Sequence, residues 1–177
     1  SLFFLTQFMS GGAATAFAGI WFTGRGFSAE QVGLFNSVPI FILLALNLIV
    51  GRLADRAGDW RQIIVLGSLA SAIVPFGLYF ALDFWSTLLF WSLAIITAAT
   101  ITPVADAAAM RVTRRNGTDF GAIRAWGTIG YLSVIFITGY LVQWLGGGAF
   151  LPWFVGLALL RGLASLTLPK LRAPEGK

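Results

Sequence analysis

No cysteine and no histidine occur among the 177 residues of this chain. The first absence excludes disulfides and thiolate chemistry, and the second removes the commonest general base and metal ligand. A hydrolase built on a Ser-His pair is thereby ruled out, including a serine protease working inside a bilayer. Carboxylates are scarce as well: the seven Asp and Glu residues are scattered and form no metal cage. Charged residues make up only 11% of the chain, where an ordinary soluble domain carries about a quarter. The paired Asn-Pro-Ala signatures of water channels are missing too.

What is present is apolar. Hydrophobic residues reach 58% and mean hydropathy is +0.84, which marks an integral membrane protein. Six apolar segments of spanning length occur, at 2–23, 32–50, 63–82, 85–109, 122–145 and 150–168. Short connections force consecutive segments to run antiparallel. The fold class expected is therefore all-α, a polytopic bundle of six transmembrane helices forming one domain over 1–177. The net charge of +5 does not indicate nucleic acid, because the arginines cluster between the apolar segments. Basic residues collect on the second connection (Arg52, Arg56, Arg61), on the fourth (Arg114, Arg115) and in the tail (Lys170, Arg172, Lys177). By the positive-inside rule these are cytoplasmic, which puts both chain ends inside the cell and the protein in the inner (plasma) membrane. The first apolar segment lacks a basic leader and a signal cleavage site, so it is read as a true span, and the missing initial methionine as the mark of an excerpted chain.

The stretch from Thr102 to Tyr131 places opposite charges inside the membrane. Asp106 and Arg124 each lie nine residues from Arg115, the centre of a short basic turn. At 1.5 Å of rise per residue both side chains sit about 13 Å from that turn, where they can neutralise each other. Arg111 and Asp119 are also symmetric about Arg115, and they predict a second, outer rung. Charge at such depth is costly, about 2.5 to 3.5 kcal/mol per residue, and is normally turned toward a bundle interior or an aqueous cavity. Thr128 and Tyr131 follow Arg124 at i+4 and i+7, giving a polar stripe on one helix face. Gly127 and Gly130 permit close approach of a neighbouring helix. A register-fixing salt bridge is the competing reading of the pair.

Elsewhere the signals are weaker. Small residues crowd the first segment, which suits close packing, and Gln7 adds polarity without an evident partner. Ser28 and Gln31 form a capping box opening the second segment. Asn36, Pro39 and Asn47 either line a cavity or bond a neighbouring helix. Pro103 predicts a kink in the fourth segment. For Arg161 two roles remain open: snorkelling toward the cytoplasm, nine residues before Lys170, or lining a cavity. Segments one to three and four to six make two three-helix units of opposite orientation, the hydropathy expected of inverted repeats.

Between the second and third segments, Gly51-x-x-x-Asp55-Arg56-x-Gly58 resembles the signature loop of the major facilitator superfamily. The chain departs from that pattern after Gly58, where Asp59 and Trp60 precede Arg61. The hairpin, with Pro103-x-x-Asp106, Arg114-Arg115, Asp119-Phe120-Gly121 and Arg124-x-Trp126-Gly127-x-x-Gly130-Tyr131, resembles the lactose permease and phenylpropionate permease group of proton symporters. Its Arg-x-Trp-Gly-Thr-Ile-Gly run also resembles proton-linked nucleoside permeases. The resemblance implies half of a twelve-helix facilitator fold, the N-terminal six helices, with a C-terminal six-helix half as absent partner. It also implies a gating role for Gly51, Asp55, Arg56, Gly58 and Arg61. Asp106, Arg124 and Tyr131 match that group's solute-binding positions, and together with Thr128 and Asn36, read from the helix faces, they are the expected substrate-binding surface. Met110 stands where lactose permease has a second acid, so specificity for galactosides does not follow.

The function expected is secondary active transport of a small organic solute, an aromatic acid, sugar or nucleoside, by alternating access with proton symport. Proton-driven efflux and a non-transporting membrane sensor or adaptor are the alternatives. The expected partners are the solute, protons and the lipid bilayer. No enzyme activity, cofactor, metal or nucleic acid is implied.

Overall fold

The computed structural model describes residues 2–56 and 59–169, apart from the side chains of residues 50, 51 and 53–56. Six helices follow one another: α1 (Leu2–Gly24), α2 (Ala29–Arg56), α3 (Trp60–Ile73), α4 (Phe84–Asn116), α5 (Phe120–Leu145) and α6 (Phe150–Leu166). With the 3-10 turn Val74–Tyr79 continuing α3 and the turn Gly147–Ala149 opening α6, all six are long and apolar enough to cross a membrane.

The chain punctuates these helices with side-chain caps. Ser28 and Gln31 form the expected reciprocal box: the Ser28 N–H donates to Gln31 Oε1 at 2.9 Å and the Gln31 N–H to Ser28 Oγ at 3.3 Å. Asp59, Asp83 and Asp119 are the N-caps of α3, α4 and α5. The Ser86 hydroxyl donating to Asp83 holds that carboxyl below its ordinary pKa. Three of the seven carboxylates thus have local jobs at helix ends. Asn116-Gly117 ends α4, with Gly117 at φ 64° in the left-handed region that favours glycine.

In the bundle α1 packs on α5 and α6, α4 packs on α2 and α3, and α3 meets α6. Exchanging helices 1–3 with helices 4–6 reproduces every one of these neighbour relations. That is the symmetry expected of inverted three-plus-three repeats. α2 packs chiefly on α4 and α5 chiefly on α1. Phe41, Leu44 and Leu48 of α2 point outward, each at least 70% exposed, as a helix facing hydrocarbon requires.

Two apolar clusters fill the interior. One, at the end remote from the basic turn, packs Trp21, Phe22, Phe35, Trp91, Phe150 and Phe154, with Phe22 and Phe35 ring centroids 4.4 Å apart. The other, near the basic turn, packs Phe3, Phe4, Trp60, Ile64, Ile101 and Val104. Between them lies a buried polar layer that includes Gln7, Ser10, Ser71 and Arg161.

Three features differ from the sequence reading. The third span is not one α-helix, because Pro75 lacks an N–H and its ring crowds the preceding turn, so the helix tightens to 3-10 from Val74. The outer rung does not form. Asp119 turns back to accept from the Gly121 N–H at 2.8 Å, and the Arg111 guanidinium lies 4.3 Å over the Trp60 ring. Asp59 and Trp60, the departures from the loop pattern, therefore cap α3 and carry Arg111. Arg161 neither snorkels nor lines a cavity: it is 2% exposed, in the polar layer.

Candidate functional site

α4 and α5 diverge from the basic turn, and α1 lies beside them. Along this three-helix seam the polar side chains collect. Asp106 Oδ1 stands 3.5 Å from Arg124 Nε, with the side chains 26% and 36% exposed respectively. This is longer than the usual 2.7–2.9 Å of a charge-assisted hydrogen bond. Asp106 Oδ1 accepts no hydrogen bond from a described residue, although the atom itself is buried. A desolvated carboxylate oxygen with spare acceptor capacity, beside a guanidinium with spare donors, is an arrangement that can take up a further hydroxyl or amide.

The cation is also held from below. Its guanidinium lies 4.0 Å from the centroid of the Phe8 ring on α1. Gly127 makes this possible, since a Cβ there would meet Phe8 at 2.6 Å and Arg124 Nη1 at 3.1 Å. Next to it, Gln7 reaches across to α4, its Nε2 donating to Ala98 O at 2.8 Å and to Thr102 Oγ1 at 3.1 Å. Thr102 lies one turn before Asp106 on the same face. Further along α5, the Tyr131 hydroxyl and Thr15 Oγ1 of α1 are 2.9 Å apart.

The structure thus brings Asp106 and Arg124 together and sets Tyr131 on the same seam. Thr128 is exposed on α5 and Asn36 is exposed on α2; neither side chain hydrogen-bonds to a described residue. Of the loop residues, Gly51, Asp55 and Arg56 fall in the last turns of α2 with side chains outside the described residues, and Gly58 lies outside them altogether. Arg61 is visible. Its Nε donates to Leu168 O at 2.6 Å and its Nη2 to Leu166 O at 3.1 Å, closing the carbonyl end of α6. Sequence reasoning missed Phe8 and Thr15. Phe8 carries no signal within an apolar run, whereas the row Gly11, Thr15, Gly19 at i+4 spacing marks a face of small side chains. Among the described residues no three metal-ligating side chains converge.

The sequence model of the MFS_1 like family matches residues 1–175. A maltose permease of Geobacillus stearothermophilus is 27% identical over 96% of this chain and 43% of its own length. A probable 3-phenylpropionic acid transporter of Escherichia coli is 26% identical over 98% of this chain and 45% of its own. Among solved structures, the nucleoside transporter NupG superposes with a TM-score of 0.82 at 18% identity, covering 94% of this chain and 42% of that one. The chain spans less than half the length of these relatives.

Proposed function

This chain belongs to the MFS_1 like family of the major facilitator superfamily, a family of multi-pass transporters and not of enzymes, and from that membership we propose that it is the N-terminal six-helix half of a proton symporter for a small organic solute in the inner membrane. The reading rests above all on the loose Asp106–Arg124 pair, partly open on a three-helix seam. Arg124 holds an acceptor of the solute by charge-assisted hydrogen bonds, and Asp106 accepts from a solute hydroxyl or amide. Tyr131 offers a flat face, and Thr128 and Asn36 add polar contacts from the exposed surfaces of α5 and α2. Rocking of this half against a second one opens the seam alternately to each side. The loop from Gly51 to Arg61, with Asp55 and Arg56, biases that motion.

The relatives supply the probes. Vesicles containing the full-length protein are to be given labelled maltose, 3-phenylpropionate or uridine under an imposed inward proton gradient. At least one should accumulate above its external concentration, and a protonophore should abolish the accumulation. Accumulation indifferent to the protonophore would remove proton symport; entry of none of the three classes would remove the solute assignment.

Phe8 gives a graded test. Stacking of a cation on an aromatic face contributes about 0.5–2 kcal/mol, so Phe8→Leu should raise the KM for uptake about two- to thirtyfold. Phe8→Tyr keeps the ring face and should stay near wild type. Equal KM values in Phe8→Leu and Phe8→Tyr would show that the stacking is idle.

A further inference from the structure

Arg161 on α6 is a buried cation that the proposed mechanism leaves unused. It is 2% exposed, and no described carboxylate pairs with it. Neutral groups hold it instead: Nη1 donates to Ser10 Oγ of α1 at 2.7 Å, and Nη2 donates to Ser71 Oγ at 2.7 Å and to Ser71 O at 3.2 Å on α3. Sequence chemistry explains the carbonyl. Pro75 has no N–H, so the Ser71 carbonyl four residues earlier lacks its helical donor, and the guanidinium replaces it. Gly162 brings α6 close to α3, since a Cβ there would stand 3.0 Å from Ala72 Cβ.

The contact to Ser10 leads to the seam. Ser10 Oγ, while accepting from Arg161, donates to the Gln7 carbonyl at 3.3 Å. The same helical turn of α1 presents Gln7 to Ala98 and Thr102 of α4 and Phe8 to Arg124 of α5. One turn is therefore gripped by α4, α5 and α6 together. A buried guanidinium without a counter-charge is a costly crosslink if its task is only to join α3 to α6, because Ser71 alone would serve.

We propose that Arg161 is a positioning residue: through Ser10 it fixes the rotation of α1, and so holds Gln7 and Phe8 against the Asp106–Arg124 pair. Its functional meaning rests on the reading of that pair as the solute site, but the geometry is testable without any solute. Thr15, exposed on α1 one and a half turns beyond Ser10, serves as reporter through Thr15→Cys in the full-length protein in membrane vesicles. Alkylation of residue 15 by N-ethylmaleimide is followed by peptide mass spectrometry. Adding Ser10→Ala should change the alkylation rate by about threefold or more, and Arg161→Lys should do the same. Ser71→Ala, which removes a bond from the same guanidinium but leaves the link to α1, should leave the rate near that of the reporter alone. Ser10→Thr keeps the hydroxyl and should restore it. An unchanged rate with Ser10→Ala, or equal changes with Ser10→Ala and Ser71→Ala, would overturn the assignment. Failure of uptake in the otherwise wild-type protein, with this labelling pattern intact, would count against the solute site and not against the role of Arg161.

Discussion

Arg124→Gln in the full-length protein is expected to lower kcat/KM for uptake by about 10- to 100-fold while the protein still reaches the membrane. The figure follows from the loss of a hydrogen bond to a charged group, about 1.5–3 kcal/mol, at 1.4 kcal/mol per decade. Asp106→Asn should act in the same direction, since an amide replaces one acceptor oxygen by a donor and leaves Arg124 without a counter-charge. The informative variant is the double one. If the pair serves only to balance charge in the bundle, Asp106→Asn with Arg124→Gln restores neutrality and should recover uptake. If the two groups grip the solute, the double variant stays as inactive as the worse single one. The 3.5 Å separation, with no hydrogen bond to Asp106 Oδ1 from a described residue, favours the second outcome, because a pair built for stability alone would close to hydrogen-bond distance. Recovery in the double variant would reduce the site to a structural ion pair.

The inner pair was legible in the sequence because helical rise and symmetry about Arg115 fix depth on two antiparallel helices without any knowledge of the third dimension. The same arithmetic failed for Arg111 and Asp119. At that height Asp119 is also the residue before a helix, where its carboxylate satisfies the Gly121 N–H, and Trp60 at the start of α3 offers Arg111 an aromatic face. Local capping and a contact from a distant segment both outcompeted the symmetric partner. The six spans were readable because bilayer thickness dictates their length and apolarity. The tightening of α3 was not, since Pro75 lies inside a run whose hydropathy is unbroken. Arg161 was misread for a related reason: its partners are two serines and a carbonyl freed by that proline, none of which carries a charge that a sequence could flag. Phe8 became visible only when the close packing of α1 on α5 was known.

That packing leads to the other large effect. Gly127 and Gly130 are one helical turn apart on α5 and face α1, yet the structure assigns them different consequences. At Gly130 a Cβ would stand 2.4 Å from the Leu5 carbonyl oxygen and 3.1 Å from Leu5 Cα, all backbone atoms of α1. No side-chain rotation relieves that clash, so Gly130→Ala must push the two helices apart along their contact. Overpacking of this kind costs about 1–3 kcal/mol, and Gly130→Leu should prevent assembly of the bundle. At Gly127 the added Cβ would meet the Phe8 ring and Arg124 Nη1, which are ends of side chains that can move. Gly127→Ala should therefore leave the thermal unfolding midpoint in detergent nearly unchanged while displacing the guanidinium from Phe8 and raising the KM for uptake. Gly130→Ala should lower the midpoint clearly, because its clash is with the α1 backbone itself. The contrast separates the glycine that sets the helix crossing from the one that makes room for the cation. Midpoints lowered equally by both substitutions would mean that the two glycines serve packing alone, and that Arg124 does not depend on its seat over Gly127.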